Sequence, residues 1–368
     1  AERRMVTSVV DHKVRAVVQN WLPRFLANEL DYLDVQRTLD AIETWEDWPV
    51  EWSNVAREYE DRGEDALSRG QLVTAGLHLR RAALTLQFAQ FVATEDERQR
   101  EEIHRKQVAI YGRAARFLLP PAERVDLPGE LFTASGYFRM PAQRQAVGAV
   151  VLIPGLESTK EQFTTLEPHF LARGLATLSL EGPGQGETWY QTPFRDHLYG
   201  QCMRRAGEFL DDRCPAIPRA VLGTSFGGYL ALRHAAALPG LAAVVDLAGP
   251  YDVTDFDRLQ DVTRQSLRHF VGAESDIDAK EMLASVNLSG ALSTLSVPAL
   301  VVHGDQDTII FPTHAERIAE GLPKLATLWM ISGGNHGCNN VHTWLRPAVA
   351  DWTAERLRSA VDRSGGEP

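Results

Sequence analysis

The chain has 368 residues, 44% of them hydrophobic and 24% charged, with 28 glycines and 19 prolines, which supplies a large core and shows no bias toward disorder or fibre. Its 38 basic against 49 acidic residues leave a net charge of −11, which argues against nucleic acid or an anionic membrane as the main partner, since both recruit clustered positive charge. Cys202, Cys214 and Cys338 are an odd number without metal-ligand spacing, so neither a disulfide framework nor a zinc site is indicated and a cytoplasmic setting is expected. No apolar run reaches the roughly 18 to 20 residues that span a bilayer, and Ala1-Glu2-Arg3-Arg4 leads into no signal-like stretch.

From about residue 8 to 118 apolar residues recur at three- and four-residue spacings, first Val9, Val10, Val14, Val17, Val18, Trp21 and Leu22, later Leu72, Leu77, Leu79, Ala83, Leu84, Leu86 and Phe88, which predicts helices throughout. Breaks fall at Pro23, Trp48-Pro49 and Gly63, and Pro120-Pro121 closes the run. Trp45, Trp48, Trp52 and Tyr59 read as packing rather than as a substrate surface, and the basic stretch Arg98 to Arg116 as a solvated helix face. From about residue 126 short apolar runs alternate with glycine turns and helical stretches, the texture of a mostly parallel sheet flanked by helices. Strands are predicted at Leu131 to Arg139 (antiparallel), Gly148 to Ile153, Leu175 to Leu180, Ala220 to Leu222, Leu241 to Leu247, Ala299 to His303 and Ala326 to Ile331. Helices are predicted at Glu161 to Arg173, Phe226 to Ala237 and His314 to Glu320. The expected organisation is a helical domain over 1–125 and an α/β domain over 126–368, with a helical insertion at about 250–297 and a loose tail from Ser364.

The chemistry sits in Val221-Leu222-Gly223-Thr224-Ser225-Phe226-Gly227-Gly228, a G-x-S-x-G string between a strand and a helix. A nucleophile on so tight a turn needs small neighbours, and the helix that follows aims its first N–H groups at a developing anion. A serine hydroxyl also needs a base and an orienting acid. After the strand Ala299 to Val302 comes His303-Gly304-Asp305-Gln306-Asp307, and after Ala326 to Ile331 comes Gly333-Gly334-Asn335-His336-Gly337, giving the chain order Ser, Asp, His. Ser225, Asp307 and His336 are therefore the expected triad, with Asp305 the rival acid; His303 is expected to brace its own turn, and His314 and His342 to lie on helix surfaces or in packing. The backbone amides of Phe226 and Leu156 are the expected oxyanion donors, the second because Gly155 lets the chain turn beneath the substrate. Glu157 and Lys160 border this loop, where a surface ion pair is the plain expectation. Glu181-Gly182-Pro183-Gly184-Gln185-Gly186-Glu187 lacks the lysine of a phosphate-binding loop and reads as the turn after a strand, so no nucleotide or other cofactor and no metal is called for.

Gly155-Leu156-Glu157-Ser158-Thr159-Lys160-Glu161, Gly182 to Glu187, the Ser225 elbow and the His303-Gly304 turn together resemble the serine hydrolases of α/β-hydrolase fold grouped with 2,6-dihydroxypseudooxynicotine hydrolase and FrsA-like proteins. The likeness runs over about residues 126 to 355, and the helical module is similar to that family's cap domain, which covers the active site. The resemblance implies an α/β-hydrolase fold with an N-terminal all-helical cap, a homodimer, and cleavage of a carbon–carbon bond beside a ketone in an aryl ketone, β-diketone or polyketide-like substrate. Carboxylesterase or thioesterase action, and acyl transfer or cyclisation by the same triad, stay open. Carbon–carbon cleavage also asks for a proton donor to the leaving carbon, for which Glu157, Asp252 and His336 itself are candidates.

Overall fold

A computed structural model of the chain describes residues 21–91, 96–143 and 145–364, and divides into two compact units, one ending at Phe117 and the other beginning at Leu118. The helical periodicity of Val9 to Val18 and the tail at 365–368 lie outside the described residues.

In the first unit, residues 21–27 are helical and are followed by α1 (Tyr32–Ala41), α2 (Asp47–Ser68), α3 (Leu72–Gln90) and α4 (Glu97–Ala115). Helix α3 packs against both α2 and α4 and is buried on every side from Ala82 to Gln90, where the polar Thr85, Gln87 and Gln90 are each hydrogen-bonded. Trp48 and Trp52 are fully buried against Phe25 and Phe88, and the Trp48 indole N–H donates to the Phe88 carbonyl at 2.8 Å, so these aromatics form the core of this unit. Tyr59 is buried beside them and donates to Asp31 at 2.8 Å. The basic stretch departs from its expected role at one point. Arg100 is buried and donates to Gln90, which is itself bonded to Gln87 and Gln107, while Arg98 and Arg105 stay in solvent with glutamates one turn away.

The second unit is built on one eight-stranded sheet: β1 (Glu123–Pro128), β2 (Thr133–Arg139), β3 (Gly148–Ile153), β4 (Leu175–Glu181), β5 (Arg219–Thr224), β6 (Leu241–Leu247), β7 (Ala299–Gly304) and β8 (Ala326–Ile331). Their spatial order is β1-β2-β4-β3-β5-β6-β7-β8. Strand β2 runs antiparallel to β1 and β4, and all other pairs are parallel. The central strands are apolar at consecutive positions because both faces are covered. Val151, Val221, Val244 and Val301 face α6 (Asp196–Arg213), α7 (Phe226–His234) and α11 (Thr313–Gly321), whereas Val150, Leu222, Val245 and Leu300 face α5 (Glu167–Leu171) and α12 (His342–Ser364). The segment after β6 carries α8 (Asp261–Val271), α9 (Asp276–Leu283) and the short α10 (Ser289–Leu292). Among the described residues no helix is long and apolar enough to cross a membrane.

Two boundaries move. A division at residue 125 would cut β1, which was not expected as a strand: Glu123-Arg124-Val125-Asp126-Leu127-Pro128 lies on a sheet edge and buries only Val125 and Leu127, so it lacks an apolar run. The predicted helix Glu161 to Arg173 is instead a 3-10 turn, Lys160–Thr165, followed by the five-residue α5, because Pro168 starts a new helix at its first turn.

Candidate active site

Ser225 sits between the end of β5 and the start of α7 with φ 55° and ψ −130°, a conformation that costs a non-glycine residue roughly 1 to 3 kcal/mol. The fold pins it there. Its amide donates to the Leu247 carbonyl of β6 at 2.8 Å, and its carbonyl accepts from Gly228 at 2.7 Å. A β-carbon at Gly223 would lie 1.8 Å from the Gly227 carbonyl oxygen, so the strand can enter the helix this tightly only without side chains at those positions. The hydroxyl is thereby held out at the C-terminal edge of the parallel sheet.

Two further turns at that edge bring in the acid and the imidazole. His336 Nδ1 lies 2.8 Å from Asp307 Oδ2, and His336 Nε2 lies 2.9 Å from Ser225 Oγ. The turns after β7 and β8 are stitched together, Asp305 N–H donating to the Ile331 carbonyl and Gln306 N–H to that of Gly334. Asp307 is buried and its Oδ1 accepts from the amides of Ile309 and Ile310 at 2.9 and 3.0 Å. Burial works against its charge, but the imidazoles of His336 and His303 outweigh it and hold the carboxyl well below the usual range. Asp305 is exposed, accepts from the Gly333 amide at 2.7 Å and so ties the histidine turn from outside. His303 is buried and bonded to the Ile310 carbonyl at 2.8 Å, bracing the acid turn. His314 accepts from the Tyr251 amide and His342 lies 2.8 Å from the Asn339 carbonyl.

Gly155 brings the loop after β3 against Ser225: a β-carbon there would stand 3.0 Å from that of the serine. Leu156 follows it, buried, and Phe226 opens α7 on the other side. Gln185 reaches this loop from the turn after β4, donating to the Pro154 carbonyl at 2.6 Å while its own oxygen accepts from Tyr199 Oη and the Gly182 amide. Glu157 accepts from Ser266 of α8 at 2.5 Å.

The ion pair expected on the surface between Glu157 and Lys160 is not formed. Lys160 is fully buried, its Nζ 2.8 Å from Glu161, 2.9 Å from Glu181 and 2.8 Å from Glu187, with Arg124 on the far side of Glu187. Burial opposes the lysine charge, yet the three carboxylates hold it protonated well above its ordinary range. Burial pushes Glu181 up to about 7, against the pull of Lys160, whereas Lys160 and Arg124 overcome burial at Glu187 and hold it well below the usual carboxylate value. Three acids against one buried cation thus join the loop after β3 to the turn after β4. A β-carbon on Gly186 would fall 1.9 Å from the Glu181 carboxyl, which explains that glycine.

Asp252 does not join the triad's hydrogen bonds. It accepts from Thr254 and from Arg317 at 2.6 Å and borders a cavity of about 540 Å³ shared with Tyr251, Lys280 and Arg317. Burial raises its pKa, but Arg317 and Thr254 outweigh it and keep the group ionised, the wrong state for a proton donor. The sequence reading missed the asparagines of the histidine turn: Asn339 donates to the His336 carbonyl at 2.9 Å and Asn340 to that of Gly333 at 2.8 Å. Two adjacent asparagines after a glycine-rich turn were the available signal. Among the described residues no group of three or more His, Cys, Asp and Glu is arranged to hold a metal ion.

Comparison with known proteins places the chain among hydrolases. Residues 167–358 match the prolyl oligopeptidase family. The chain is 31% identical over 347 residues to 2,6-dihydropseudooxynicotine hydrolase of Paenarthrobacter nicotinovorans, covering 92% of each. The crystal structure of a 2,6-dihydroxy-pseudo-oxynicotine hydrolase superposes with a TM-score of 0.85 at 29% identity, over 92% of this chain and 96% of that one. It is also 26% identical to 20-hydroxy-prefusarin hydrolase of Gibberella moniliformis, over 63% of this chain and 62% of that one.

Proposed function

The chain belongs to the prolyl oligopeptidase family of α/β-hydrolases and is a hydrolase related to 2,6-dihydropseudooxynicotine hydrolase, and from that premise we propose that it is a serine hydrolase that cleaves a carbon–carbon bond beside a ketone. The observation that carries the serine mechanism is the unbroken line from Asp307 through His336 to Ser225, at 2.8 and 2.9 Å. His336 Nε2 takes the hydroxyl proton as Ser225 Oγ adds to the carbonyl, and Asp307 stabilises the imidazolium that forms. The amides of Leu156 and Phe226 receive the oxyanion, each such donor contributing roughly 2.7 to 4 kcal/mol.

Collapse of the adduct breaks the bond to the neighbouring carbon, whose electron pair leaves as an enolate or aryl-stabilised carbanion and is protonated. Glu157, next to Leu156, is the donor we assign to that step, and the proton that the His336 imidazolium carries then passes to the Glu157 carboxylate, so that His336 is again a neutral base; direct donation by His336 is the alternative. Water activated by His336 then attacks the acyl carbon and frees Ser225 as the second product departs as a carboxylic acid. The substrate class rests on the relatives and on the shared loop sequences, and a panel of β-diketones, aryl ketones and activated esters tests it. Turnover of ketones with release of a carboxylic acid, lost in Ser225→Ala, is expected. Turnover of esters alone would replace this reading with an esterase, and products bearing an added alcohol or amine would replace it with an acyltransferase.

A further inference from the structure

One hydroxyl in the insertion after β6 has a partner that packing alone does not explain. Helix α8 is amphipathic: Arg264 and Arg268 face Asp276 of α9 on its outer side, while Ser266, Leu267, Phe270 and Val271 form a buried stripe at helical spacing. Ser266 is the polar member of that stripe and is fully buried. A buried serine inside a helix commonly returns its proton to a carbonyl one turn back, whereas the Ser266 hydroxyl donates to Glu157 Oε1 at 2.5 Å, 109 positions away. The rest of the stripe is seated beside the same site. Phe270 meets the Phe226 ring edge to face with centres 4.9 Å apart and stacks on Phe194 at 4.7 Å. The Phe270 carbonyl accepts from the Phe194 amide at 2.7 Å, and that of Val271 from Arg195 at 2.9 Å. One firmly anchored helix thus touches Phe226 directly and reaches Leu156 through its neighbour Glu157, the two residues to which the proposed reaction assigns the oxyanion.

We propose that Ser266 is a positioning residue for Glu157, fixing the carboxyl in the orientation from which it protonates the leaving carbon, and that α8 in this way favours carbon–carbon cleavage over ester hydrolysis. The proposal rests on the reading of Ser225 and Glu157 given above. Ser266 itself passes no proton. The new C–H bond forms with the electron pair released by the broken carbon–carbon bond, and the O–H pair stays on Glu157, whose Oε1 turns from a carbonyl into a carboxylate oxygen. That oxygen accepts from Ser266 in both states and more strongly in the second. The hydrogen bond therefore tightens as charge develops on Glu157, which lowers the barrier to cleavage and leaves substrate binding alone. An activated ester draws no benefit from it, because its phenolate departs as the anion.

Ser266→Ala removes the donor and suits a helix. Its kcat for ketone cleavage is expected to fall by about 10- to 100-fold with KM little changed, the scale of one hydrogen bond to a charged group. Hydrolysis of an activated ester and the rate of fluorophosphonate labelling at Ser225 are expected to stay within about twofold of the parent, which a loosened fold would not allow. Added to Glu157→Gln, the same change is expected to cost less than about twofold more, because the two residues act as a unit. Ser266→Cys, similar in size with a weaker donor, gives the same readout if Ser266→Ala does not fold. Ketone and ester slowed alike, or losses that multiply in the double variant, overturn the proposal and leave Ser266 a role in packing alone. The two readings fail differently. A parent chain that hydrolyses esters and cleaves no ketone defeats the proposed function and this inference with it, whereas a parent that cleaves ketones while Ser266→Ala slows both substrates equally defeats the inference alone.

Discussion

Replacing Lys160 by methionine exposes how far the buried charge cluster supports the fold. The side chain volume is nearly conserved, so the change isolates the loss of one cation from a site where Glu161, Glu181 and Glu187 all lie within 2.9 Å of it. Removing one partner of a buried ion pair costs about 3 to 5 kcal/mol, because the carboxylates left behind must be protonated or stay uncompensated. At about 2 to 4 °C per kcal/mol for a unit of this size, the melting temperature should fall by about 6 to 20 °C at pH 8. The loss should depend on pH with a definite sign. Glu181 already stands at about 7, above its unfolded value, so its contribution to stability is present at low pH and is lost as pH rises through 7; without Lys160 that pKa climbs further. Glu187, held low by Lys160 and Arg124, likewise moves up when Lys160 is gone. The gap between parent and variant should therefore be widest near pH 8 and narrow toward pH 5. Calorimetric melting across that range checks it. A variant melting within about 2 °C of the parent at pH 8, or a gap that widens on acidification, would refute the electrostatic account.

Asp307→Asn should lower kcat by roughly 10⁴, through loss of the carboxylate that orients His336, whereas Asp305→Asn should keep most of the activity, a pair of assays that separates the two candidate acids. Gln185→Leu should reduce kcat by about 10- to 100-fold with KM little changed, since it frees the Pro154 carbonyl and lets the oxyanion loop shift; an unaltered kcat would remove Gln185 from the positioning of that loop. Glu157→Gln should slow ketone cleavage more than hydrolysis of an activated ester, because the carbanion must be protonated as it leaves whereas a phenolate departs as the anion; equal slowing of both would count against Glu157 as the donor.

The parallel strands and the three triad positions were legible because each leaves a local mark, an apolar run or a glycine-flanked polar residue in a turn. Strand β1 left none: four of its six residues face solvent on a sheet edge. Lys160 misled for a related reason. A lysine two residues beyond a loop serine looks solvated in sequence, and only the arrival of Glu181 and Glu187 from the turn after β4 makes its burial affordable. Gln185 and Ser266 were equally hidden, because their partners Pro154 and Glu157 lie 31 and 109 positions away. Asp252 shows the converse, an acid plausible by position whose carboxylate is already committed to Arg317.

The most direct measurement of the central claim is active-site titration with a fluorophosphonate, followed by peptide mapping of the adduct. One phosphonyl group per chain on Ser225, formed in step with loss of activity and suppressed in His336→Ala, is the predicted result. Full activity in a chain whose Ser225 stays unmodified, or inactivation by modification at another residue, would contradict it.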